Sequence, residues 1–65
     1  MLTINLNGPE GNAYVLLGKA QNLSKQLGYS KEKTEDILDR MKASDYYNLV
    51  NVFEEEFGHL VEIIR

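Results

Sequence analysis

The segment after Asn12 carries the strongest pattern in this sequence, an apolar residue at every third or fourth position. These positions are Ala13, Leu16, Leu17, Ala20, Leu23 and Leu27. Such spacing predicts an amphipathic helix whose apolar stripe faces a core, and Gly28 is placed to end it as a left-handed cap. Gly18 lies inside this helix, where glycine costs about 1 kcal/mol relative to alanine. We interpret it as a point of close approach by another backbone, and a merely tolerated glycine is the alternative.

Two further segments carry the same helical signature. Ser30 is a good N-cap for a second helix over Lys31–Lys42. Ser44 is interpreted as the cap of a third helix, with Asp45 in its positive first turn and Gly58 at its end. The two apolar stripes are Thr34, Ile37, Leu38 and Met41 in the second helix, and Tyr46, Leu49, Val50, Phe53 and Phe57 in the third.

The two ends of the chain have the pattern of strands. Residues 1–7 alternate between apolar and polar side chains, as a half-buried strand does, and Pro9 then suits the first turn of a helix. Residues 59–65 place apolar side chains on both faces, interrupted by Glu62, which is typical of a strand covered on both sides. The sequence therefore predicts one α+β domain over residues 1–65, with the order β-α-α-α-β and three helices packed on a two-stranded sheet formed by the chain termini.

The short length of the chain predicts an assembly. A domain of 65 residues buries only about 60% of the surface of its unfolded chain, and disulfides, a metal or oligomerisation usually add support. The sequence has no cysteine and a single histidine, His59, which excludes disulfides and zinc sites of thiolates or several histidines. A two-stranded sheet is marginal alone and leaves strand edges open. We therefore predict a homo-oligomer, a dimer or larger, in which the sheet is extended across the symmetry axis.

Charge and hydropathy exclude two classes of partner. A net charge of −3 and a pI near 4.9 disfavour duplex nucleic acid, whose phosphates need a basic surface. The sequence contains no apolar run near the roughly 20 residues that cross a bilayer, and no signal-peptide pattern. We expect a cytosolic protein without a membrane partner.

No residues in the sequence form a recognisable catalytic set. Nucleophilic catalysis needs a nucleophile beside a base, and no serine neighbours His59 in the sequence. The acids of the second helix alternate with lysine and arginine, which is the ordinary pattern of an exposed, ion-paired helix. A metal site from Glu55, Glu56 and His59 is disfavoured because a helix end intervenes and no oxygen-rich loop is present. We predict that the protein is not an enzyme and has no metal or cofactor.

Four residues are candidates for contact with a ligand: Asn12, Tyr14, Asp45 and Tyr47. The amide of Asn12 both donates and accepts hydrogen bonds, as recognition of a base or sugar requires. Tyr14 and Tyr47 lie off the apolar stripes and are free to stack on a base or to meet a partner chain. Asn12 and Asp45 begin two helices, whose N-termini would converge if the helices pack side by side. In the alternative interpretation Asn12 and Asp45 only satisfy backbone donors, and the tyrosines pack at the margin of the core.

Several segments together carry a resemblance to a known group of proteins. They are Gly8-Pro9-Glu10-Gly11-Asn12-Ala13, Leu16-Leu17-Gly18, Gln26-Leu27-Gly28, Asp45-Tyr46-Tyr47-Asn48-Leu49 and Phe57-Gly58. The chain resembles small uncharacterised proteins of tailed bacteriophages and prophages that begin with a strand and a Gly-Pro-x-Gly-Asn-Ala turn. The resemblance implies a phage accessory protein in the host bacterial cytoplasm, with a counter-defence role. It would sequester a small nucleotide-type ligand or mask a host protein, and a structural or assembly role in the phage particle is the alternative.

Overall fold

The computed structural model describes residues 2–65, so Met1, which the first-strand pattern included, lies outside the described residues. The predicted order β-α-α-α-β is confirmed, and the fold is α+β. The strands are β1 (Leu2–Asn5) and β2 (Val61–Ile64), the helices are α1 (Ala13–Gln26), α2 (Lys31–Lys42) and α3 (Tyr46–Phe57), and a short 3₁₀ turn, Pro9–Gly11, precedes α1.

The two strands form a parallel pair in which Leu2 lies beside Val61 and Asn5 beside Ile64. Four connections join β1, the three helices and β2, and an even number of chain reversals leaves β2 running in the direction of β1. The ladder extends past β1, where the Leu6 amide donates to the Ile64 carbonyl at 2.9 Å. The carboxyl ends of both strands therefore lie at the same edge of the sheet.

Within the described part of the chain, residues 2–65, only one face of the sheet is covered. Ile4 and Val61 are buried, with exposed fractions of 1% and 2%, whereas Glu62 is exposed and Ile64 keeps 44% of its surface exposed. The prediction that the C-terminal strand is covered on both sides is thus wrong for the single chain. Alternate residues of a strand point to opposite faces, and the helices pack on the face of Val61 alone.

The predicted apolar stripes meet in the core. Leu16, Ile37 and Met41 are fully buried, and Phe53 and Phe57 are as well. The two phenylalanine rings pack with centroids 5.3 Å apart and planes tilted by 54°, a favourable arrangement for aromatic pairs. Within residues 2–65, no helix is both long and apolar enough to cross a membrane.

The ends of the helices confirm some predictions and correct others. Gly28 has φ +75°, the left-handed conformation predicted for it, and the Ser30 hydroxyl accepts from the Lys33 amide at 3.1 Å, as an N-cap does. Ser44 is not the cap of α3. The Asp45 carboxylate takes that place, accepting from the Asn48 amide at 2.9 Å, so the helix begins one residue later than predicted.

The close backbone approach predicted at Gly18 occurs at Gly11 instead. Within residues 2–65, and apart from the adjoining backbone of α1 itself, no atom lies within 4 Å of the position a Cβ would take at Gly18. The interpretation of a close approach by another backbone is therefore wrong, and this glycine is simply tolerated. The close approach occurs at Gly11, where a Cβ would overlap the backbone of Leu6. Glycine at this position lets the 3₁₀ turn fold back against the end of β1.

Candidate functional site

A cleft of about 260 Å³ lies at the carboxyl edge of the sheet, and we call it the sheet-edge cleft. Three segments line it: the residues after β1, the residue after β2, and the first two turns of α3. The lining residues are Leu6, Asn7, Tyr46, Tyr47, Val50, Asn51 and Arg65. Parallel sheets bind ligands outside the carboxyl ends of their strands, and the parallel pairing places this cleft there.

A second hollow of about 320 Å³ lies between the first turns of α1 and α3, and we call it the helix-start hollow. Its lining residues are Ala13, Tyr14, Leu17, Met41, Lys42, Ser44, Asp45, Tyr46 and Leu49. Residues from the beginnings of α1 and α3 thus line one hollow, and convergence of the two N-termini on one ligand stays a prediction.

Tyr46 lines both hollows and forms the wall between them. Its hydroxyl donates a hydrogen bond to the Gly11 carbonyl, which ties the start of α3 to the turn before α1. The sequence pattern placed Tyr46 in the core stripe, and this is wrong because 39% of its surface is exposed. A tyrosine hydroxyl needs a polar partner, and the bond to Gly11 holds the ring at the margin of the core.

Asn12 and Asp45 both cap helices. The Asn12 side-chain oxygen accepts from the Tyr14 amide at 2.8 Å, and α1 begins at Ala13, so Asn12 is the N-cap of that helix. Asp45 also lines the helix-start hollow, whereas Asn12 lines neither hollow. The alternative that these side chains satisfy backbone donors is confirmed, because both accept hydrogen bonds from backbone amides. A ligand contact by either residue stays a prediction.

Tyr14 and Tyr47 stand almost free of the core, with exposed fractions of 84% and 79%. The alternative that they pack at the margin of the core is therefore wrong. Tyr14 lines the helix-start hollow and Tyr47 the sheet-edge cleft. The predicted site residues are thus distributed around Tyr46 and do not line a single pocket.

Among residues 2–65, Arg65 is the only charged residue that lines the sheet-edge cleft, and it pairs with Glu54 of α3. The two guanidinium NH groups of Arg65 donate to the two carboxylate oxygens of Glu54 at 3.0 and 3.3 Å. This hydrogen bonding raises the pKa of Arg65 and lowers that of Glu54. Because a guanidinium has five N–H donors, Arg65 keeps further donors while it is paired with Glu54.

Sequence reasoning missed Asn7, Asn51 and Arg65. Asn7 and Arg65 meet because the strands are parallel, and three helices between two strands are a signal for that direction. Asn51 follows Tyr47 by four residues, so both lie on the same face of α3. This spacing is visible in the sequence, but it gains meaning only once that face is known to border the sheet.

Known proteins provide no further assignment for the site. No family model, curated protein or solved structure matches this chain. Among residues 2–65, no three His, Asp or Glu side chains are placed together to hold a metal ion. The chemistry of the site is that of tyrosine rings, side-chain amides and a guanidinium beside apolar side chains, a set suited to binding a planar polar ligand.

Proposed function

We propose that the chain is a non-enzymatic binding protein that takes up a small nucleotide-type ligand in the sheet-edge cleft. The observation that carries this proposal is the exposed ring of Tyr47 beside the apolar Leu6 and Val50 and the amides of Asn7 and Asn51. An exposed aromatic ring offers a face on which a base stacks. The side-chain amides both donate and accept, as the edge of a base does.

The local structure supports this use of the cleft. The Asn5 side-chain oxygen accepts from the Asn7 amide at 2.9 Å, which fixes the turn that carries Asn7 to the edge of the sheet. At the end of the other strand, Arg65 is oriented by its two hydrogen bonds to Glu54. The ligand would thus meet groups that are already held in place, and this preorganisation reduces the entropic cost of binding.

Sequestration is the activity that we assign to this binding. His59, the only histidine of the chain, lines neither hollow, and the proposal therefore assigns no general base to the site. The resemblance to phage and prophage proteins supports a counter-defence role in the cytoplasm of the host bacterium. In this role, the protein removes a ligand from solution in proportion to its own amount.

Titration of ¹⁵N-labelled protein with AMP and with UMP, followed by NMR, tests the proposal. We expect the amide signals of Asn7, Tyr47, Asn51 and Arg65 to shift together, and Tyr47→Ala to abolish the shifts. Lys25→Ala is the control, because Lys25 lines a separate hollow between α1 and α2. Titrations in which these signals stay unchanged with both nucleotides would contradict the proposal.

A second experiment separates the alternative roles. Tagged protein is recovered from phage-infected, defence-active bacteria, and its bound material is identified by mass spectrometry. A recovered nucleotide supports sequestration. A stoichiometric host protein, bound through the exposed Tyr14 and Tyr47, supports the masking role instead, and presence of the chain in purified phage particles supports the structural role.

A further inference from the structure

We infer that the ligand carries two planar rings, one in each hollow, joined by a linker that crosses the edge of Tyr46. This inference rests on the proposed function and specifies its ligand. The sheet-edge cleft and the helix-start hollow share Tyr46 as a wall. Each has its own largely exposed tyrosine, Tyr47 in the first and Tyr14 in the second.

The sizes of the two hollows favour a ligand that fills both. The sheet-edge cleft measures about 260 Å³ and the helix-start hollow about 320 Å³. Pockets for small molecules generally measure about 300 to 1,000 Å³. Each hollow alone is near the lower limit, whereas the two together lie well inside the range.

Tyr46 lies between the two hollows, where a hydrogen bond holds its ring while one side of the ring stays exposed. Its hydroxyl is tied to the Gly11 carbonyl, and Gly11 is itself pressed against Leu6 at the end of β1. The ring therefore stays between the hollows when a ligand enters. Because 39% of Tyr46 remains exposed, a linker can pass over its outer side without displacing it.

The charges around the hollows limit the charge of the linker. Lys42 and Asp45 line the helix-start hollow, and Arg65, already paired with Glu54, lines the sheet-edge cleft. The whole chain carries a net charge of −3, which repels polyphosphates. A linker with one negative charge, such as a single phosphodiester, fits this balance, so the ligand class is a dinucleotide with one phosphodiester.

Calorimetric titration with AMP, ATP and the dinucleotide adenylyl-(3′→5′)-adenosine tests this inference. We expect the dinucleotide to bind at least about tenfold more tightly than AMP, since the second ring binds at high effective concentration. ATP should bind no more tightly than AMP. In NMR spectra the dinucleotide should shift Tyr14 and Asp45 together with Asn7 and Tyr47.

Two single variants and one control complete the test. Tyr14→Ala should reduce the affinity for the dinucleotide to that for AMP, and Tyr47→Ala should do the same from the other hollow. Both side chains are largely exposed, so neither change should affect folding. Lys25→Ala, in the separate hollow between α1 and α2, should bind the dinucleotide like the parent.

The outcomes separate this inference from the proposed function. Equal affinities for AMP and the dinucleotide, with shifts confined to the sheet-edge cleft, would overturn the two-ring ligand and leave the binding function standing. Tighter binding of ATP than of the dinucleotide would overturn the charge argument and with it the single-phosphodiester class. Absence of binding by all three probes would overturn both proposals.

Discussion

The hydroxyl of Tyr46 donates a hydrogen bond to the carbonyl of Gly11, which lies 35 positions earlier in the chain. This bond joins the start of α3 to the turn that precedes α1, and so holds the beginnings of two helices side by side. Because the same ring separates the sheet-edge cleft from the helix-start hollow, one contact contributes to the fold and to the shape of the candidate site.

Removal of this hydroxyl should destabilise the fold measurably. Tyr46→Phe keeps the ring but leaves the Gly11 carbonyl without its partner, and we expect a loss of about 1 kcal/mol. Urea denaturation followed by circular dichroism measures the change. Tyr47→Phe is the matched control, because Tyr47 is the next residue in the chain and is 79% exposed. Equal stability of the two variants would show that the Tyr46 bond contributes nothing in solution.

The phase of α1 is tested by two adjacent apolar residues. Leu16 is fully buried, whereas 39% of Val15 is exposed. We expect Leu16→Ala to cost about 2 to 5 kcal/mol, a large part of the stability of a domain this small. Val15→Ala should cost much less. If thermal melting ranks the two variants in the opposite order, the helix does not turn Leu16 towards the core.

The helices could be predicted closely because their signals are local. Apolar spacing and the Gly28 cap define α1 without any reference to the rest of the chain. The start of α3 was placed one residue early because Ser44 and Asp45 are both good cap residues. Only the backbone geometry decides which of them accepts the Asn48 amide.

The candidate site was predicted less well because it depends on packing. Tyr14 and Tyr47 were identified from their position off the apolar stripes, and the structure exposes both. Asn7 and Arg65 come together only through the parallel strand pairing, and no local pattern marks either residue. Tyr46 was misplaced because its spacing fits the core stripe, while the distant Gly11 carbonyl decides where its hydroxyl lies.

The ion pair between Glu54 and Arg65 should make stability depend on pH. Hydrogen bonding by Arg65 lowers the pKa of Glu54 below its ordinary value of 4.5. The stabilising contribution is therefore fully present above that value and is lost as the pH falls through the lower pKa of the folded state. We expect Glu54→Gln to melt slightly below the parent at pH 7, since exposed pairs contribute little.

Melting curves at several pH values provide the check. At a pH below the lowered pKa of Glu54, the parent and Glu54→Gln should melt alike, because Glu54 of the parent is then protonated in the folded and in the unfolded state. Added salt should also reduce the difference at pH 7. Glu55→Gln, at the exposed neighbouring position, is the control. A difference that persists unchanged in acid contradicts the ion pair as its source.

Association of the chain remains a prediction that the exposed strands support. The sheet has two strands of four residues each, and it exposes 52% of Leu2 and 44% of Ile64. We expect a dimer or larger assembly in sedimentation at micromolar concentration. Ile64→Lys should shift the assembly towards monomer by adding a charge to a strand, whereas Gln21→Lys on α1 should not. A stable parent monomer with a high melting temperature would show that the core needs no partner.

A ligand contact by Asn12 can be distinguished from helix capping by a substitution that keeps the cap. The Asn12 side-chain oxygen accepts from the Tyr14 amide at 2.8 Å, so its amide nitrogen is not needed for capping. Asn12→Asp retains the oxygen acceptor and adds a negative charge at the helix start, so the melting temperature should be unchanged or slightly higher. Asn12→Ala removes the cap and should cost about 1 kcal/mol.

Binding of AMP then distinguishes the two interpretations of Asn12. Because Asn12 lines neither hollow, we expect Asn12→Asp to bind AMP like the parent, whereas a loss of affinity in both variants would show that the Asn12 amide donates to the ligand. A protein that only needs the cap would bind AMP normally as Asn12→Asp and would weaken as Asn12→Ala only in proportion to unfolding. This result would assign Asn12 to folding alone, and the binding surface would then consist of the two hollows on either side of Tyr46.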